Sequence, residues 1–179
     1  RSSKWRYVLI SADKLKTGPI QLRPLSEGEA AIMPVRQRSR VGVRKEDAAA
    51  VAAEARAVAA RFPADAAVQS ALAEAEHDAG NDREAIAAAD AALAIDGKQL
   101  NAYVQKGLSQ MRIAHKASDA AGFRAARATF LALNAIEPDN PLALSNYYRA
   151  FVEQGMAPTA NAVAALERAS ALAPFDLGL

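Results

Sequence analysis

Pro63, Gly97, Pro138 and Pro174 each close an alanine-rich segment of similar pattern, at intervals of 34, 41 and 36 residues. Proline cannot continue a helix, and glycine ends one through the left-handed conformation, so these four positions mark helix ends. A period near 34 made of two amphipathic helices predicts a stacked array, because one such unit cannot bury its apolar face without a neighbour. An array of this kind points to partner binding.

Composition supports packed helix pairs. About a quarter of the 179 residues are Ala, most of them after position 47. Alanine has the highest helix propensity and lets two helices approach closely. Aromatics are only 6%, against 51% hydrophobic residues in all, which argues against a core of large side chains. No apolar run reaches the length needed to cross a bilayer, and the opening Arg1-Ser2-Ser3-Lys4-Trp5 has neither an initiator Met nor a signal-peptide core, so the chain reads as a piece of something longer. Zero cysteines rule out disulfides and thiolate metal sites and suit bacterial cytoplasm and periplasm equally.

The net charge of +2 conceals an asymmetry. Residues 1–45 carry 11 Lys and Arg against three acids, +8, and the remainder carries −6. A basic head is thus joined to an acidic body. Either the head meets an anionic partner, or head and body attract each other and fold together.

Residues 1–44 read as a β-rich extension or the remnant of a preceding domain. Trp5 to Ile10 is rich in β-branched and aromatic residues, Thr17-Gly18-Pro19 reads as a turn, and Ile20 to Leu25 alternates apolar with polar. The run from Ala30 to Val43 alternates again, placing Arg36, Arg38 and Arg40 on one side of a strand, while Pro24 and Pro34 predict sheet edges or strand ends.

Residues 45–179 read as helices throughout. Lys45 to Phe62 has helical spacing and forms a half repeat (45–63) whose first helix is missing. Three full repeats follow, at about 66–97, 100–138 and 141–174. In the first, Leu72 and Ala73 form a large-then-small pair, Gly80-Asn81 a turn, Ala85 a small contact, and Ala92 to Asp96 the ending. The second has Tyr103 and Gly107, then Ala126, Phe130, Leu133 and Pro138, with seven extra residues around Ala114 to Gly122 that make either a partner-touching loop or a lengthened first helix. The third has Leu144, Tyr147 and Phe151, then Ala162, Leu166, Ala169 and Leu172. On these residues the chain resembles the tetratricopeptide repeat family. The resemblance implies an all-α, right-handed superhelix of about seven helices with the short β-rich extension at its start. Tyr148 departs from the family pattern, standing where Gly, Ala or Ser is usual. It predicts a splayed last helix pair or a ring turned into the groove. No polar capping helix follows Pro174, so Phe175 to Leu179, or a second copy of the chain in a homodimer, is expected to cover the last apolar face.

The head, with Gly18-Pro19, Arg23-Pro24-Leu25-Ser26 and Ala30 to Val35, resembles the segment that joins an upstream gluzincin-like peptidase domain to C-terminal repeats in certain proteobacterial proteins. That resemblance implies the C-terminal part of a larger, exported bacterial protein, and carries over no catalytic residue.

Searches for chemistry find little. His77 and His115 are the only histidines, and His77 sits among Glu74, Glu76 and Asp78, but there is no His-Glu-x-x-His and no second histidine at helical spacing, so no metal site is predicted. No phosphate loop, Gly-x-Ser-x-Gly elbow or cysteine nucleophile occurs. The sequence predicts neither an enzyme nor a bound cofactor. Alternating arginines suit a phosphate backbone, yet the run lacks base-stacking aromatics, which disfavours nucleic acid.

By the family pattern, the first helices line a concave groove. Its facing positions are Ser70, Glu74 and His77; Asn101, Gln105 and Arg112; and Ser145, Asn146 and Arg149, with Tyr148 as a further ligand-facing aromatic. This mixed set lacks the basic clamp that chaperone-binding relatives use for a terminal carboxylate. The expected partner is an extended protein or peptide segment held through its backbone, or the chain's own upstream domain. The alternative is a non-catalytic regulatory or substrate-presenting region of a peptidase-like enzyme.

Overall fold

A computed structural model describes residues 23–174 of the chain. Among them lie eight α-helices and no strand: α1 (Glu27–Val41), α2 (Ala48–Arg61), α3 (Ala66–Asp78), α4 (Asp82–Ile95), α5 (Leu100–Ala117), α6 (Ala120–Ile136), α7 (Pro141–Glu153) and α8 (Ala160–Leu172). Consecutive helices pair as α1–α2, α3–α4, α5–α6 and α7–α8. The first helix of each pair also packs on the first helix of the next, α1 on α3, α3 on α5 and α5 on α7. That leaves α2, α4, α6 and α8 as a second layer. Four pairs are present, where the sequence predicted three and a half.

The missing half is α1, which the alternation of residues 30–43 disguised as a strand. Ser26 opens the helix with a capping box: its hydroxyl accepts from the Glu29 amide, and the Glu29 carboxylate accepts from the Ser26 amide. Two of the orphan donors at the helix start are satisfied in this way. Pro34 lies inside α1 on the exposed side, where the lost amide bond opens to water and not into the core. Ile32 and Val35 bury completely against Val51, Ala55 and Val68 of α2 and α3. On this helix Arg36 and Arg40 share a face four residues apart, while Arg38 turns away to pair with Glu54 of α2. The β-rich extension is therefore corrected over 27–41. The strand-like stretch 5–10, the turn at 17–19 and the start of the 20–25 stretch lie outside the described residues, as do Phe175 to Leu179.

Local chemistry places the other helix ends. Asp65, Asp119, Asn140 and Thr159 each accept from backbone amides of the helix that follows, and Pro141 takes the first turn of α7, where no amide bond is lost. The seven extra residues of the second repeat form no loop. They lengthen α5 to 18 residues and α6 to 17, and a tight turn through Ser118, with φ 51°, joins the two. His115 accordingly sits exposed on the last turn of α5 and not in a loop.

Small residues set how closely the pairs pack. Ala73, Gly107 and Tyr148 are each the eighth residue of their helix. Ala73 is buried among Ala88, Ala89 and Ala92 of α4. Gly107 faces the Phe130 ring so closely that an added Cβ would lie 2.5 Å from it. Tyr148 is half-buried, and α8 buries only Ala162 and Ala169 fully, where α4 buries five residues.

These contacts predict that Gly107→Ala loses about 1–2 kcal/mol in urea denaturation, because the fully buried Phe130 has no room to yield and the clash outweighs the ~1 kcal/mol helix-propensity gain. Adding Phe130→Leu should recover part of that loss.

Candidate functional site

The layer formed by α1, α3, α5 and α7 carries a polar surface whose side chains are bonded to each other across helices. Glu74 of α3 accepts from the Asn101 side-chain amide of α5 at 3.0 Å, and Asn101 in turn accepts from Gln105 at 3.1 Å. Gln105 is only 7% exposed, and its Oε1 has no hydrogen-bond partner among the described residues. One turn further along, the His77 ring shares a 2.9 Å hydrogen bond with the fully buried Ser109 hydroxyl. Glu74, Asn101 and Gln105, expected in the groove from the repeat pattern, are thus joined, and His77 lies one turn from Glu74 on α3 with Ser109 as its partner.

Next to this chain of bonds lies a cavity of about 310 Å³. Arg36 and Arg40 of α1 form one wall, Ser70 and Glu74 of α3 the floor, and Gln99 and Asn101 the opposite side. Ser70 therefore lines this cavity as well. The two arginines were missed as cavity-lining residues because they were placed on a strand; the Ser26-x-x-Glu29 capping pattern was the available signal for a helix.

The remaining predicted positions are engaged differently. Arg112 donates to Asp82 at 2.6 Å and to the His77 carbonyl at 2.6 Å, so it ties the end of α3 and the start of α4 to α5. Lys116 adds a second cation to Asp82 at 3.3 Å. Asn146 is buried and bonds the Leu142 carbonyl of its own helix at 2.9 Å, as Ser145 does at 3.4 Å. Arg149 is exposed and paired with Glu153 at 2.6 Å.

Two acids to which the sequence assigns no role, Glu76 and Asp82, are buried. Glu76 receives both Arg56 nitrogens at 2.6 Å, one on each oxygen, and the Asn81 amide at 2.8 Å. Both acids flank the α3–α4 turn and look like ordinary surface carboxylates in the sequence. Only the facing cations of α2 and α5 explain their burial.

Burial governs the site's electrostatics. It pushes the Glu74 carboxyl above its ordinary value, against the opposing pull of the Asn101 bond and of Arg36 and Arg40, and it raises Asp78 likewise. Burial also opposes the charged form of Asp82, but the bonds and charges of Arg112 and Lys116 outweigh it and hold that carboxyl below its usual range. The His77 ring is held down at about 4 by burial and then by Arg112, against the pull of Asp82. His77 is consequently neutral at pH 7, and its 3.9 Å approach to Asp82 is no ion pair there. Among the described residues, no group of three or more His, Cys, Asp or Glu side chains is arranged to hold a metal ion, and no helix is long and apolar enough to cross a membrane.

No protein-family model matches this chain, and no curated protein matches it by sequence. Among solved structures 27 chains match. One, described as the crystal structure of MamA protein, superposes with a TM-score of 0.61 over 86% of this chain and 79% of that one, at 16% sequence identity. At that identity the likeness concerns the fold alone, and the all-helical architecture fits a tetratricopeptide-like array.

The buried ring generates a pH prediction. A folded-state value near 4 against about 6.5 in the unfolded chain means that the unfolded state binds the proton first as pH falls. The contribution of neutral His77 is fully present above about pH 6.5, declines as pH falls toward 4, and levels off below. Relative to His77→Gln, the wild-type chain should lose about 1–2 kcal/mol across that window, discounted for the water the ring still meets. A ring midpoint near 6.5 in an NMR titration would contradict it.

Proposed function

We propose that the chain is a protein-interaction scaffold whose concave layer receives an extended protein segment, either from a separate partner or from a domain upstream in its own chain. The tetratricopeptide-like fold supports the general reading, since such arrays present one continuous face to a partner and concentrate no chemistry on it. The observation that carries the groove assignment is the Glu74–Asn101–Gln105 chain with its orphan Gln105 oxygen. Three side chains from two helices are held in fixed orientation before any ligand arrives, so little ordering is left to oppose binding. Amides and carboxylates arranged in this way suit the N–H and C=O groups of an extended backbone.

Backbone recognition needs no metal and no nucleophile, in keeping with a non-catalytic role. A regulatory or substrate-presenting part within a larger enzyme would use the same surface in the same way.

Selection of random dodecapeptides on the 179-residue chain, followed by NMR mapping of the best synthetic peptide, tests the reading. The expected shifts cluster on α1, α3 and α5 and include the Asn101 and Gln105 side-chain amides. Shifts centred on α4 and α6 would place binding on the other layer and defeat the groove assignment.

A further inference from the structure

Two cations on the cavity wall close on no acid among the described residues. Arg36 and Arg40 line the 310 Å³ cavity, and neither forms a hydrogen bond or ion pair among the described residues, although Arg38 between them does. Glu74 on the cavity floor is already bonded by Asn101, and neither guanidinium closes on it. The cavity therefore carries two positive charges against one negative. We infer that Arg36 and Arg40 form the charge-reading subsite of the groove, taking the carboxylate of an Asp or Glu side chain within a bound extended segment while Glu74, Ser70 and Asn101 meet that segment's backbone. This rests on the groove-binding reading above and names the class of segment the groove selects.

Charge balance favours a carboxylate over a phosphate, the shape of the cavity favours a side chain over a chain end, and the donor geometry suits an oxyanion in general. One added carboxylate neutralises the pocket, whereas a dianionic phosphate would leave surplus negative charge facing Glu74 at short range. Two guanidinium groups four residues apart on one helix present planar donor forks suited to a single carboxylate. The cavity also continues: Ala67 and Gln99 line both it and a neighbouring hollow of about 540 Å³ that runs past Arg61 and Phe62. A segment can pass through without terminating there.

The same dodecapeptide selection supplies the test. On the wild-type chain the selected sequences should be enriched in Asp or Glu at one position. In an amidated synthetic copy, changing that residue to Gln should weaken binding at least tenfold by calorimetry. The pair Arg36→Ala and Arg40→Ala should produce a similar loss for the acidic peptide and little for its Gln version. Glu74→Gln keeps a bonding side chain and removes the opposing charge, so it should tighten the acidic peptide several-fold; a gain of affinity cannot come from damaged folding. Peptides that bind the groove with no acidic preference, or lose equally in both versions, would overturn this inference and leave the scaffold reading intact. Failure to select any peptide would overturn both. Tighter binding of a phosphoserine peptide, inorganic phosphate or oligothymidylate than of the acidic peptide, dependent on Arg36 and Arg40, would reassign the subsite to phosphate.

Discussion

Everything in this array depends on how closely its paired helices approach, and that approach is permitted by what is absent from their contact positions. Ala73 against Ala88, Ala89 and Ala92, and Gly107 against the Phe130 ring, bring backbones together in the second and third pairs. Small contacts bury little apolar area each, so an alanine-rich interior gains less from water exclusion than a leucine-rich one of equal length. The fold compensates with area repeated over many units and with polar ties between them. Glu76 and Asp82 stand at one turn and face opposite ways, the first toward Arg56 of the preceding unit and the second toward Arg112 and Lys116 of the following one. The acids are buried and their cations partly exposed, so removing a cation strands a carboxylate in the interior, which makes these contacts devices of register more than of raw stability.

The larger side chains gather where units meet further along. Arg127 lies buried over the Phe151 ring at 4.3 Å and donates to Gln154 at 2.7 Å, while the Tyr147 and Phe151 rings stand perpendicular with centroids 5.5 Å apart. The contact between α6 and α7 thus stacks a cation on an aromatic ring, where α2 and α3 meet through Val51, Val58 and Val68 and the Arg56–Glu76 ion pair. One stacking geometry is being satisfied by two chemistries. This is why the repeats look so unlike each other as strings of residues.

That difference explains what the sequence did and did not disclose. Helix ends were legible, because Pro63, Gly97, Pro138 and Pro174 each stand two residues beyond the end of a helix, and terminus chemistry is local. Glu74, Asn101 and Gln105 were expected on one face because a repeat places corresponding positions alike, and they do bond across α3 and α5. α1 was misread because alternation over a short basic run fits both a strand and the flank of a helix, and an internal proline weighed toward the strand. The pairing of Asp82 with Arg112, thirty residues apart, leaves no local trace at all. The pairing of Arg36 with Arg40 was hidden by the same error, since a strand puts Arg38 on their side as well and only the helix turns it away toward Glu54.

The lengthened third pair has a consequence for anything that lies along the array. Identical units in a stack are interchangeable, so an elongated ligand or a neighbouring copy can slide from one to the next with little penalty. With α5 at 18 residues and α6 at 17, between neighbours of 13 or 14, the edge is not level but carries a ledge of roughly one helical turn, about 5 Å. That ledge breaks the translational degeneracy. It gives the surface an origin and a direction, so that a molecule fitted against it has one alignment and not several.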